Sequence, residues 1–315
     1  EMSASLVGSE MCIRDSSSIV RKMTTIAEKI VVMTPCYNIF FNSIVNNGRN
    51  VLESRLHYED GVYSIDQEDL EEKLADPQTS MLILCNPHNP VGKIWDRETL
   101  ERIGELCFKH HVLVLSDEIH CDITRPGMEY IPFASVSEHC KNNSITCVAP
   151  TKTFNLAGLQ TAAVIVPDAA MRHRVNRGLN TDEVAEPNVF AAIAPIAAFD
   201  RGREWLEELR EYLWENRKAA EDFIREEIPE LRTVSADATY LLWIDCNALP
   251  GDLSELAEFI RKESGLYVCD GREYGNGYGF LRMNLACRRE LLKEGLERLK
   301  RSIHSYRKGI SNGII

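Results

Sequence analysis

Apolar residues in the first half of the chain fall into short runs: 30–33, 81–85, 112–115 and 162–166 are unbroken, and 144–148 carries Ile145, Cys147 and Val148 beside Ser144 and Thr146. A run of this length without polar alternation is a strand buried on both faces. Residues 51–56 also read as extended, and 42–47 as helical. Between the runs the period changes. In 99–111, Leu100, Ile103, Leu106 and Cys107 share one helical face. Asp66 can cap a helix over 67–74, with Asp69 three residues on as in a capping box. Strands alternating with helices predict an α/β fold with a mostly parallel sheet covered by helices.

The second half has a different rhythm. Residues 182–200 are alanine-rich, with Pro187 placed to open a helix. Residues 203–228 form one long amphipathic pattern carrying Leu206, Leu209, Leu213, Phe223 and Ile224. Strands over 240–244 and 279–283 flank a helix over 254–264, and a helix over 289–306 carries Leu292, Leu296, Leu299 and Ile303. The pattern predicts a large domain over 17–200 and a smaller α+β C-terminal domain over 201–315, joined through the long helix.

Composition narrows the function classes. Of 315 residues, 44% are apolar and 27% charged, as in soluble globular proteins. No apolar run is long enough to span a membrane. A net charge of −12 without a basic block argues against nucleic acid as a partner. The ten cysteines show neither a C-x-x-C pair nor zinc spacing, so they read as buried thiols of a cytoplasmic protein. Residues 1–16 lack the features of a signal peptide and any clear period. They read as a non-native leader and are set aside.

Three polar groups sit where strands end. Asn89 follows 81–85, Asp117 follows 112–115, and Lys152 follows 144–148 in the run Thr151-Lys152-Thr153-Phe154-Asn155-Leu156-Ala157-Gly158. Ligands of open parallel sheets bind at such ends. A lysine fixed in a turn can act as a Schiff-base nucleophile. Together the three match the needs of pyridoxal phosphate. The lysine bonds the aldehyde, the aspartate pairs with the pyridine nitrogen, and the asparagine meets the phenolic oxygen. Tyr37 follows the first run and can stack on a ring. Each residue also has a plainer reading: Asp117 with Glu118 as a solvated pair or helix cap, Asn89 as turn chemistry, Tyr37 as core aromatic, His120 as a core histidine, and Arg282 as a surface ion-pair partner.

The segments NPHNPVGKIW, SDEIHCD, KTFNLAGLQ, ATYLLWID and GFLRMNLACRR resemble, in that order, fold-type I pyridoxal-phosphate enzymes of the class I/II aminotransferase superfamily. They are nearest the MalY/PatB cystathionine β-lyase group. The resemblance spans roughly 17–306. It implies the PLP-dependent transferase fold with a seven-stranded-type sheet in the large domain. It also implies a homodimer with its active site at the subunit interface. It places Lys152 as the cofactor lysine, Asp117 at the pyridine nitrogen, and His120 and Asn89 near the phenolic oxygen. Tyr37 becomes the stacking ring, and Thr151 a hydroxyl for the phosphate. Arg282 becomes the arginine that grips a substrate carboxylate.

Gln160 stands where many aminotransferases have a phosphate-binding arginine, and Ala238 where a glycine is usual. The resemblance starts after the family's phosphate-binding glycine turn and amino-terminal arm, like an enzyme truncated there. The implied activity is carbon–sulfur β-lysis of cystathionine or another cysteine S-conjugate, with a small amino acid as substrate. An aminotransferase is the alternative. An inactive fragment or a regulatory binding protein are further ones.

Overall fold

The computed structural model describes residues 4–8, 11–186 and 188–311. Its central element is a mixed sheet built from β1 (Ala4–Gly8), β2 (Lys29–Thr34), β3 (Asn50–Arg55), β6 (Thr79–Cys85), β7 (Leu113–Asp117), β8 (Ser144–Val148) and β9 (Thr161–Ile165). The order is β1-β9-β8-β7-β6-β2-β3. The pairs from β8 to β3 are parallel, whereas β9 runs antiparallel to β8. A hairpin of β4 (His57–Glu59) and β5 (Val62–Ser64) follows β3.

The expected large-sheet strands are present to within a residue or two. Within 1–16, set aside above, Ala4–Gly8 pairs antiparallel with β9 and a helix starts at Met11. The edge of β9 offers unpaired backbone groups that an extended segment can satisfy.

Helices α1 (Met11–Met23), α2 (Ile39–Val45), α3 (Gln67–Ala75), α4 (Arg97–Lys109), α5 (Glu138–Asn142), α6 (Pro150–Thr153) and α7 (Ala169–Thr181) accompany the sheet. Asp66 caps α3 by accepting from the Glu68 and Asp69 amides. Asp96 caps α4 through the Thr99 amide, so α4 starts two residues before the expected 99. On α4, Leu100, Ile103, Leu106 and Cys107 are all buried. Each leucine or isoleucine so buried contributes about 1.5–3 kcal/mol. Two cores result. One joins β2, β6 and β8 to α1, α2 and α7. The other joins Leu82, Leu84 and Val114 to α4 and to Val234, Trp243 and Phe280 from the second half.

The second half contains α8 (Phe190–Arg201), α9 (Arg203–Glu227), α10 (Leu256–Ser264) and α11 (Arg289–Ser311). Its sheet comprises β10 (Arg232–Thr233), β11 (Leu241–Asp245), β12 (Cys269–Asp270) and β13 (Phe280–Asn284), in the order β10-β11-β13-β12. A separate core packs Ala220 and Ile224 of α9 and Leu292, Leu296, Leu299 and Ile303 of α11 against this sheet. Pro187, expected to open a helix, lies outside the described residues. Among those residues no helix is long and apolar enough to cross a membrane.

Candidate active site

Four neighbouring parallel strands, β8, β7, β6 and β2, each carry a chemical group at the carboxyl end. Lys152 follows β8, Asp117 ends β7, Asn89 follows β6 and Tyr37 follows β2. All four line one cavity of about 160 Å³, together with His120 and Arg282. Arg282 comes from β13, where it is registered between Trp243 and Cys269.

Local sequence explains the placements. Pro150 opens the single turn Pro150–Thr153, its ring suited to the first helical position. The Phe154 amide closes the turn on the Pro150 carbonyl at 2.8 Å. Asn155 then takes φ 53°, which asparagine tolerates. Thr153 Oγ1 donates to Asp122 Oδ2 at 3.0 Å, tying the lysine's turn to the chain beyond β7. The Ile119 amide donates to Asp117 Oδ1 at 3.1 Å, which orients that carboxylate within its own turn.

The loop after β6 is held twice. The Asn86 amide donates to the Asp117 carbonyl at 3.0 Å, and the Gly92 carbonyl accepts from Asp237 and Ala238 at 2.8 and 3.0 Å. Gly92 has φ +76°, and a Cβ there would lie 2.6 Å from Ala236 Cβ and 2.9 Å from the Ala238 oxygen. Only glycine permits that approach. Ala238 is absent from the positive-φ residues, and Thr239 takes φ 70° instead.

Arg282 Nη1 donates to Asn89 Oδ1 at 3.2 Å, and its guanidinium lies 4.7 Å from the centre of the Tyr274 ring. His120 is buried, with its ring edge-on to Tyr240 at 5.7 Å. Burial, then the positive charges of Lys152 and Arg282, push its pKa down to about 3. It is a neutral imidazole near pH 7.

Some plainer readings fall here. Arg282 faces a buried asparagine rather than a surface carboxylate. Glu118 is neither a cap nor solvated: it is 2% exposed and accepts from Ser116 Oγ and the Phe133 amide at 2.9 and 3.0 Å. His88 is buried with Nε2 2.8 Å from the Pro35 carbonyl, a structural contact.

Pyridoxal phosphate fits this donor set. Thr151 Oγ1 and His120 Nδ1 are buried without a hydrogen-bond partner. Such orphaned groups need a ligand or water. Gln160 is not among the lining residues. Thr151 instead lines an adjoining hollow of about 520 Å³ that shares Lys152, Tyr240 and Asn284 with the first cavity.

The family model for aminotransferase class I and II matches residues 16–299. The chain belongs to this family. It is 41% identical over 288 residues to cystathionine beta-lyase PatB of Bacillus subtilis, covering 91% of this chain and 74% of that protein. It is 32% identical over 293 residues to the protein MalY of Escherichia coli, covering 92% and 74%. The crystal structure of cystalysin from Treponema denticola, which contains pyridoxal 5′-phosphate, matches with a TM-score of 0.92 at 30% identity. That match covers 97% of this chain and 77% of the other. The class I and II aminotransferase frame thus spans both halves of the molecule.

The sequence reading missed Tyr240, Leu241, Asn284, Cys85 and Ile119 as lining residues. Tyr240 and Asn284 lie in motifs it used, but there Tyr240 reads only as a strand residue and Asn284 only as the residue after a strand. Nothing in a strand pattern says which end faces a cavity formed with another sheet.

Proposed function

We propose that this protein is a pyridoxal-phosphate-dependent carbon–sulfur β-lyase that converts cystathionine or a related cysteine S-conjugate to pyruvate, ammonia and a thiol. The observation that carries this reading is the convergence of Lys152, Asp117, Asn89 and Arg282 on one cavity. Similarity to cystathionine beta-lyase PatB supports the choice of lyase over aminotransferase.

When bound, the cofactor supplies a ring that withdraws the electron pair left at the substrate Cα. Lys152 Nζ would hold the cofactor aldehyde before substrate arrives; once the substrate amino group has displaced it there, the freed amine would take the Cα proton as general base. The Asp117 carboxylate keeps a proton on the pyridine nitrogen. Asn89 Oδ1 is taken up by Arg282, so Nδ2 is the atom left to donate to the phenolic oxygen. Arg282 receives the substrate α-carboxylate in bidentate fashion. Neutral His120 would border the ring without adding charge, Tyr37 would pack against it, and Thr151 Oγ1 would be free to donate to the phosphate. The adjoining hollow, with Trp205, Leu209 and Tyr212, gives space to the departing thiol half.

The working unit in this reading is a cytoplasmic homodimer. Helix α8 supports it, since Phe190, Ile193, Ile196 and Phe199 are all more than half exposed in the single chain. Elution volume with light scattering tests that state.

The test of function is incubation of the purified protein with pyridoxal phosphate and cystathionine. Pyruvate and thiol release without a keto acid is the expected result. Strict dependence on a keto acid means an aminotransferase. No cofactor absorbance and no turnover mean an inactive chain.

A further inference from the structure

Glu118 follows the cofactor-facing Asp117 but points away from the cavity, onto the same side as Ser116. One carboxyl oxygen, Oε1, accepts from both Ser116 Oγ and the Phe133 amide. The carboxyl also bonds the Tyr130 hydroxyl. That hydroxyl lies 2.9 Å from the carbonyl oxygen of Asn86, as its donor. Asn86 opens the loop that carries Asn89, and its amide is bonded to the Asp117 carbonyl.

Counting hydrogens shows what this requires. Tyr130 has one hydroxyl hydrogen. The Asn86 carbonyl can only accept, so that hydrogen is used there. The remaining Tyr130–Glu118 bond then needs its hydrogen from Glu118. A carboxylate would leave two acceptors facing each other with no hydrogen between them, at a side chain that is 2% exposed.

We propose that Glu118 is a neutral acid that donates to Tyr130, and that the two act as a positioning pair for Asp117 and Asn89. The chain of donors runs from Glu118 through Tyr130 to Asn86. It fixes the β6 loop against the end of β7, so the groups at opposite edges of the cofactor ring keep their spacing. Neutrality of Glu118 also leaves Asp117 as the one carboxylate at that strand end. The charge and titratable neighbours of Glu118 agree with this. Burial, and after it the negative charge of Asp117, push its pKa up to about 7, against the bonds it accepts from Phe133 and Ser116. The thiol of Cys121 is itself pushed upward by burial and by the charge of Asp122, and the phenol of Tyr130 by burial.

The assignment rests on the proposed cofactor site, so its test has one readout that is independent of activity. Glu118→Gln is a close mimic of the neutral acid, since its amide donates to Tyr130 and its carbonyl accepts from Ser116 and Phe133. In the protein without cofactor, melting temperature is followed against pH for the wild type and E118Q. A folded-state pKa above the unfolded value gives stability that is complete below 4.5 and lost through about 7. The wild type therefore falls relative to E118Q as pH rises through that window. A difference that is constant with pH, or that grows in favour of the wild type, overturns the proposal.

In the loaded enzyme, E118Q keeps kcat near the wild-type value, while Glu118→Ala and Tyr130→Phe each lower it at least about tenfold. E118Q as damaged as E118A, in a wild type that turns over cystathionine, also overturns it. A wild type without any turnover overturns the functional reading instead, and the melting series still decides the protonation of Glu118.

Discussion

Arg282 and Asn89 are separated by 193 positions, yet Arg282 Nη1 donates to Asn89 Oδ1 at 3.2 Å. One residue comes from the second sheet and the other from the loop after a strand of the first. The bond links the group proposed to grip the substrate carboxylate to the group proposed to meet the cofactor ring. Substrate binding and ring orientation are therefore coupled through a single contact.

Arg282→Lys keeps the positive charge but loses the planar fork. Charge-assisted bonds are worth about 1.5–3 kcal/mol, so kcat/KM for cystathionine should fall about 10- to 100-fold. Most of the loss should appear in KM, because the α-carboxylate is held in ground and transition states alike. Steady-state kinetics of pyruvate release checks this, and an unchanged KM would remove Arg282 from the carboxylate site.

Lys152→Ala removes both the anchor for the aldehyde and the proposed base. Turnover should drop by about 100- to 10,000-fold, the range typical of a lost acid–base group. The visible absorbance of the bound cofactor should disappear with it. A variant that keeps both would assign the chemistry to another residue.

The buried histidines predict loss of stability in acid. Burial pushes His120 down to about 3 and His88 to about 4, from an ordinary value of 6.5. For His120 the charges of Lys152 and Arg282 add to the effect; for His88 the bond to the Pro35 carbonyl opposes it. The folded state binds fewer protons than the unfolded one in this window. The stabilisation is therefore complete above 6.5 and lost as pH falls toward each folded value. Each histidine contributes a slope of about 1.4 kcal/mol per pH unit. His120→Asn should flatten the acid side of the melting-temperature profile. A variant as acid-sensitive as the wild type would contradict a neutral buried His120.

Gly92→Ala tests the packing behind the Asn89 loop. A left-handed φ of +76° and a Cβ 2.9 Å from the Ala238 carbonyl oxygen leave alanine no relaxed position. The strain should lower stability by about 1–3 kcal/mol, seen as a lower urea midpoint. Cofactor affinity should weaken as well, since the same loop carries Asn89. A midpoint equal to the wild type's would show that the loop is not held as tightly as its two carbonyl bonds suggest.

The hairpin of β4 and β5 shows a signal that was present and passed over. Asp60 and Gly61 take φ 49° and 83°, both positive, as a two-residue turn between short strands requires. Asp-Gly between Tyr58 and Tyr63 is the sequence mark of that turn. The pairing of Ala4–Gly8 with β9 left no such mark, because an edge strand depends on which edge is open. Asp66 shows the opposite case: its cap on α3 was legible because the donors lie two and three residues away.

The strands β2, β3, β6, β7, β8, β9, β11 and β13, the cap of α3, and the chemical groups at the ends of β6, β7 and β8 were written in local pattern. Backbone geometry over a few residues determines them, so neighbours along the chain are enough. The sheet order was not local. It is the order β8-β7-β6-β2 that lines up Lys152, Asp117, Asn89 and Tyr37 across one cavity. The packing of β11 and β13 over it brings in Tyr240, Arg282 and Asn284. Glu118 makes the division plainest. From its neighbours along the chain it was a second acid beside Asp117, fit for a cap or for solvent. Folding turned it to the other face of the strand end, out of water and against Ser116 and Phe133, where burial governs its protonation.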